Sequence, residues 1–360
     1  MKFLSFLLLI LFIGSSSLQS QTKTKNVILI TIDGLRWQEV FNGADTALLN
    51  NKTYTKKPED LTRKFWNADA NKRREMLMPF VWGTVAKKGQ IYGNRNRGSL
   101  VNVANPYWFS YPGYSEILCG IADERVNSND LGPNPNTTVL EFINKQKDFE
   151  GKVAVFASWG TLNDIVNEQR SNVYVNAAFE SLSGKEFGPK IELLNEMQSR
   201  LPDVFFGIRL DAATFNMGFE YLKAKKPRVL HISFDETDDF AHHGSYDYYM
   251  NSARYTDDFI KQIWSWVQSN SHYKDKTTLL ITVDHGRGAD PEGWKSHGTK
   301  TPHSDETWFA VIGPDTPAKG ESTSGQYYNK QYAQTIAKLL GLAYTNVQTP
   351  GDAILPVLGK

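Results

Sequence analysis

Five apolar runs punctuate the chain, at 26–32, 153–157, 228–234, 277–283 and 308–312. Each is rich in Val, Ile, Leu, Phe and Thr with little polar alternation, the pattern of a strand covered on both faces in a parallel sheet. Stretches with helical spacing lie between them. Thr138 followed by Glu141 has the spacing of a capping box, and Val139, Phe142 and Ile143 share one side of the helix it opens. Phe215, Phe219 and Leu222 mark a second helix. Phe259, Ile263 and Val267, with Ile260 and Trp264 beside them, mark a long amphipathic one, and a last helix is expected over about 330–340. Strands alternating with helices predict an α/β fold with a mostly parallel central sheet. Two stretches, about 36–105 and 158–209, lack a sustained period and are expected to be cap-like insertions. Within the first, 76–88 carries Met78, Phe80, Val81 and Val85 at helical spacing, a packing face.

The chemistry gathers where the apolar runs stop. The run at 26–32 ends in Asp33-Gly34, and the run at 277–283 ends in Asp284-His285-Gly286. Open α/β sheets carry their sites at the carboxyl ends of strands, so the two carboxylates should lie near each other and repel unless a cation sits between them. After the run at 228–234 comes a crowd of acids, Asp235, Glu236, Asp238 and Asp239, followed by His242 and His243. One helical turn presents Asp238 and His242 to the same point, a ligand pair suited to zinc, with Asp235, Asp239 and His243 as substitutes. His231, inside its run, is expected to be a packed core residue. In Ser110-Tyr111-Pro112-Gly113 a hydroxyl precedes an apolar helix-like segment, so Ser110 is either a nucleophile or a helix cap, and Ser115 is a weaker nucleophile. Arg36 close to Asp33, and Arg287 after His285, are the cations nearest these groups.

Composition narrows the picture. The 360 residues include 40 basic and 39 acidic side chains, a net charge of +1, which gives no argument for a nucleic-acid or membrane-surface partner. The sole cysteine, Cys119, excludes an intramolecular disulfide and is expected to be buried. Lys2, the apolar run from Phe3 to Ile13 and the small residues after it have the form of a secretory signal peptide over 1–20, cleaved between Ser16 and Gln21. No later apolar stretch is long enough to span a bilayer, so the rest, 21–360, is expected to be one exported domain.

Asp33, the Ser110 turn, Asp238 with His242, Asp284-His285 and His297-Gly298 occur in an order that resembles the alkaline phosphatase superfamily, most of all its nucleotide pyrophosphatase/phosphodiesterase branch. The resemblance runs from the first strand nearly to the C-terminus. It implies a three-layer αβα fold with cap insertions and two divalent cations, zinc by type. One is held by Asp33, Ser110, Asp284 and His285, the other by Asp238, His242 and His297. It further implies that Ser110 is the nucleophile of a hydrolase acting on small phosphate monoesters or diesters through a phosphoseryl intermediate. An Asn of that branch binds a phosphoryl oxygen; Asn127 and Asn129 both lie near the matching place. Arg36 and Arg287 complete the expected substrate contacts. Sulfatases of the superfamily carry Cys/Ser-x-Pro-x-Arg, and Tyr114 stands here at the Arg position. A sulfatase-like or other ester hydrolase, and a metal-binding homologue without turnover, are the alternatives.

Overall fold

In a computed structural model of the chain, residues 22–200 and 203–359 are described, and the expected signal peptide lies outside them. The strands are β1 (Asn26–Ile32), β2 (Gln90–Tyr92), β3 (Leu100–Asn102), β4 (Val153–Ala157), β5 (Tyr174–Ala177), β6 (Val229–Phe234), β7 (Thr277–Thr282), β8 (Phe309–Ile312), β9 (Gly320–Glu321) and β10 (Gln326–Tyr328). Eight form one sheet in the order β5-β4-β6-β1-β7-β8-β2-β9, while β3 and β10 pair separately. The centre of the sheet, from β5 to β7, is parallel, and β8 runs antiparallel to both β7 and β2.

Both faces of this sheet are covered, which is why its strands read as unbroken apolar runs. Along β1 the side chains alternate: Ile28, Ile30 and Ile32 enter one core, Val27 and Leu29 the other. The first core is closed by helices Asp211–Lys225 and Tyr246–Ser269, whose Phe215, Leu222, Ile260, Ile263 and Val267 are buried in it. The second is closed by helices Ser110–Cys119, Val139–Asn144 and Tyr332–Leu339. The result is the alkaline-phosphatase-like three-layer α/β fold. Cys119 is buried and free, and His231 is buried at the centre of β6. Among the described residues no helix is long and apolar enough to cross a membrane.

The stretch at 36–105 differs from expectation. It contributes β2 to the main sheet, and Leu48, Leu61, Phe65, Leu77, Val81 and Trp82 lie in the first core. It is part of a layer of the fold, hidden in the sequence because its apolar residues are scattered over short helices. The expected helix over 76–88 is interrupted: a helix ends at Leu77, Pro79 follows, and a π-helical turn begins at Val81. The amides of Phe80 and Val81, freed by that break, donate to the Asp257 carboxylate at 2.8 and 2.9 Å. The second stretch, 158–209, supplies the edge strand β5, and its ends meet in an isolated bridge between Trp159 and Ile208.

Candidate active site

Strands β1 and β7 are neighbours in parallel register, Thr31 opposite Thr282, so the residues beyond their ends, Asp33 and Asp284, emerge side by side. Both are fully buried. Gly34 makes the turn after β1 at φ +56°, and a Cβ there would stand 2.6 Å from Asp238 Oδ1; only glycine suits both demands. The Gly34 amide donates to Asp284 Oδ1 at 3.2 Å. The helix carrying Ser110 comes close to the end of β7 because Gly113 has no side chain: a Cβ would lie 2.5 Å from the Asp284 carbonyl oxygen. Ser110 is the first residue of this helix. Phe109 is its N-cap and no side chain caps it, so the capping role left open for Ser110 is not the one it plays.

Four elements thus deliver one cluster. His285 Nε2 lies 3.2 Å from Ser110 Oγ, 3.2 Å from Asp33 Oδ1 and 3.3 Å from Asp284 Oδ2. Beside it, the short helix Glu236–His242 presents Asp238 and His242 from successive turns, with His242 Nε2 3.0 Å from Asp238 Oδ2. His297 Nε2 stands 2.9 Å from His242 Nε2 and 3.7 Å from Asp238 Oδ1. Every residue of the two ligand sets implied by the sequence is therefore in one place. The grouping is less separate than expected, because His285 Nε2 also lies 3.8 Å from Asp238 Oδ1 and joins Asp238 and His297 in a second potential ligand group.

The cluster fits divalent cations on its own geometry. Asp33 Oδ1 and Asp284 Oδ2 are buried with no hydrogen-bond partner, and both point toward His285 Nε2. The Gly286 carbonyl lies 2.8 Å from His285 Nδ1, which fixes the proton there and leaves Nε2 as a lone pair. The electrostatics carry the same message. Burial, then the nearby Asp238, pushes Asp33 well above the usual carboxylate range, and burial, then Asp33, does the same to Asp284. Burial pushes Asp235 up as well. Burial would also raise Asp238, but the Arg287 guanidinium and then His242 outweigh it and hold Asp238 well below that range. Burial and the adjacent His285 depress His297. Asp33 and Asp284, which resist ionising, and His297, which resists protonation, face one centre and match a site built around cations.

The cluster opens into a cleft of about 140 Å³ lined by Asp33, Ser110, Asn129, Trp159, Ile208, Asp235, Asp238, Asp239, His242 and His297. Asn129 Oδ1 accepts the Tyr111 amide at 3.0 Å, leaving its NH₂ free at the cleft. Asn127 is exposed and does not line the cleft. The two arginines require correction. Arg36 is fully buried, ion-paired with Glu39, and donates to the Gly288 carbonyl at 2.8 Å. Arg287 is equally buried, ion-paired with Asp238, and bonded to the Trp294 and Lys295 carbonyls. Neither faces a ligand: Arg36 braces the loop after His285, and Arg287 holds Asp238 ionised. Asp235 and Asp239 line the cleft without joining either ligand group, and Ser115 lies within the helix, where Asn134 donates to its Oγ. Trp159 and Ile208 are the contribution of the 158–209 stretch, whereas 36–105 lines none of the cleft. Ile208 had no signal in the sequence.

A mostly parallel sheet with this cluster at its carboxyl edge defines an alkaline-phosphatase-like α/β protein. The chain belongs to the sulfatase family, within the alkaline phosphatase superfamily of hydrolases: the sulfatase family model matches residues 120–342, more than half the chain. That match includes Asn129, Asp238, His242, Asp284, His285 and His297 and begins beyond Asp33 and Ser110. The fold is similar to wild-type alkaline phosphatase PafA, with TM-score 0.61 and 9% identity over 94% of this chain and 99% of that one. It is also similar to Ps i-CgsB in complex with k-i-k-neocarrahexaose (TM-score 0.57, 13% identity, 93% and 76% covered). The lipoteichoic acid synthase LtaP from Listeria monocytogenes is a third such structure (TM-score 0.55, 11% identity, 93% and 76% covered). No curated protein matches the chain in sequence.

Proposed function

We propose that the protein is an exported hydrolase of small phosphate esters in which Ser110 is the nucleophile. The observation that carries this reading is the hydroxyl of Ser110 at the first position of its helix, 3.2 Å from His285 Nε2 and beside Asp33 and Asp284. Asp33, Asp284 and His285, with Ser110, would hold one divalent cation, and Asp238, His242 and His297 the second, zinc by ligand type. When bound, such ions lower the pKa of the hydroxyl and neutralise charge on the phosphoryl and leaving oxygens.

Ser110 Oγ gives its proton to solvent and attacks phosphorus in line; the Oγ–P bond forms, the ester P–O bond breaks, and the leaving oxygen takes a proton from solvent. Water then cleaves the phosphoserine and releases phosphate, or a phosphate monoester when the substrate is a diester. The NH₂ of Asn129, which lines the cleft, would donate to a phosphoryl oxygen. No Lys or Arg side chain lines the cleft among the described residues. Charge balance then favours a singly charged phosphodiester over a doubly charged monoester. Trp159 and Ile208 offer an apolar wall for the leaving group. The leader-like run from Phe3 to Ile13 supports export.

A second reading, hydrolysis of a sulfate monoester, is favoured by the family itself and by the same charge argument. Against it stands Tyr114 at the Arg position of the sulfatase motif, buried and accepting a hydrogen bond from Ser233 at 3.0 Å. Zinc-loaded protein assayed with an aryl phosphodiester, an aryl phosphate and an aryl sulfate separates the readings. The diester should turn over fastest, and Ser110→Ala should reduce it to background. Fastest turnover of the sulfate would replace the first reading with the second, and full activity of Ser110→Ala would refute the nucleophile.

A further inference from the structure

Trp108, two residues before Ser110, has φ +57°, a conformation a bulky side chain avoids unless its surroundings impose it. The hydrogen bonds around it show what does. Asn105 is buried, and its Oδ1 accepts the amides of Tyr107 at 3.0 Å and Trp108 at 3.3 Å. Asn105 is itself fixed by Glu116 Oε2, which accepts its amide at 2.8 Å and its Nδ2 at 2.9 Å. Glu116 is fully buried, two turns into the Ser110 helix, and it also accepts the amides of Ala104 and Lys330 at 2.9 Å each. Each of these bonds to Glu116 comes from an amide donor. The carboxylate thus ties the segment before the nucleophile to the helix after it.

The geometry points to Glu116 and Asn105 as positioning residues that force Trp108 into the left-handed turn and thereby hold Ser110 within reach of His285. This assignment rests on Ser110 being the nucleophile, and neither residue lines the cleft. Asn105→Ala removes the acceptor that holds the turn. It should lower kcat on the aryl phosphodiester by about 100-fold, the cost of a displacement near 1 Å at a reacting centre. KM should stay within about 2-fold, because the groups facing substrate are untouched. Glycine adopts a positive φ freely, so Trp108→Gly in the Asn105→Ala background should recover about 10-fold or more of the loss. Glu116→Gln, which keeps the shape but turns an NH₂ toward amide donors, should show the same kcat-selective loss in smaller degree.

Amide hydrogen exchange over 107–111 gives a readout independent of turnover, and it should rise in Asn105→Ala and in Glu116→Gln. Unchanged exchange in both overturns the clamp, as does a kcat loss that Trp108→Gly fails to rescue. Full activity of Ser110→Ala combined with raised exchange refutes the nucleophile and leaves the clamp standing.

Discussion

His231 should govern much of the acid sensitivity of the fold. It sits in the middle of β6 with no exposure, its Nε2 2.9 Å from Thr31 Oγ1 on the neighbouring strand and its Nδ1 without a partner. Burial pushes its pKa from 6.5 down to about 3. In the unfolded chain the ring protonates below about pH 6.5, whereas in the folded protein it stays neutral until about pH 3. Between those values the unfolded state holds one more proton, so stability falls as pH falls through the window and levels off below it. Each pH unit is worth about 1.4 kcal/mol, so the window spans roughly 5 kcal/mol, comparable to the whole stability of many domains. The buried carboxylates complicate the wild-type curve, since Asp33, Asp235 and Asp284 have raised pKa values and gain from acid. Those contributions are common to wild type and His231→Gln and cancel in the difference. Urea unfolding of both proteins from pH 4 to 8 should therefore give curves that converge at acid pH by several kcal/mol relative to their separation at pH 8. Parallel curves over that range would show that the ring titrates normally and that its burial carries no electrostatic cost.

Three further outcomes test the site. His242→Ala, at a side chain 43% exposed, should lose one equivalent of bound zinc by elemental analysis while leaving the thermal midpoint of the metal-free protein within about 2 °C, because little packing is removed. Asp284→Asn should instead reduce affinity for the ion beside Ser110 and abolish turnover; retention of both ions at wild-type affinity would contradict the ligand assignment. Trp159→Ala should raise KM for an aryl diester by about 3- to 10-fold, the worth of one aromatic contact, with little effect on a methyl ester of the same phosphate. Equal effects on both esters would remove Trp159 from leaving-group recognition.

The legible parts of this chain are those where burial or periodicity leaves an unbroken mark. β1, β4, β6, β7 and β8 are visible because a strand covered on both faces excludes charged residues and is mostly apolar along its length. Asp33 and Asp284 are visible because they end such strands, and Asp238 with His242 because four residues make a helical turn. β2, β5 and β9 span only two to four residues and leave no period. The arginines mislead for a different reason. A guanidinium beside an acidic site has the same sequence whether it meets a ligand or a buried carboxylate, and here Glu39, three residues after Arg36, was the local hint of the latter. Removing Arg36 and Arg287 from the substrate leaves no Lys or Arg lining the cleft among the described residues, so the expected choice among esters shifts toward those carrying a single negative charge. Glu116 shows the converse: a lone carboxylate in the apolar helix segment Ser110–Cys119 has no solvent-facing explanation, and such a residue must find buried donors. Its donors are the amides that shape the turn before Ser110, so the residue least suited to its helix by polarity is the one that connects that helix to the reacting hydroxyl.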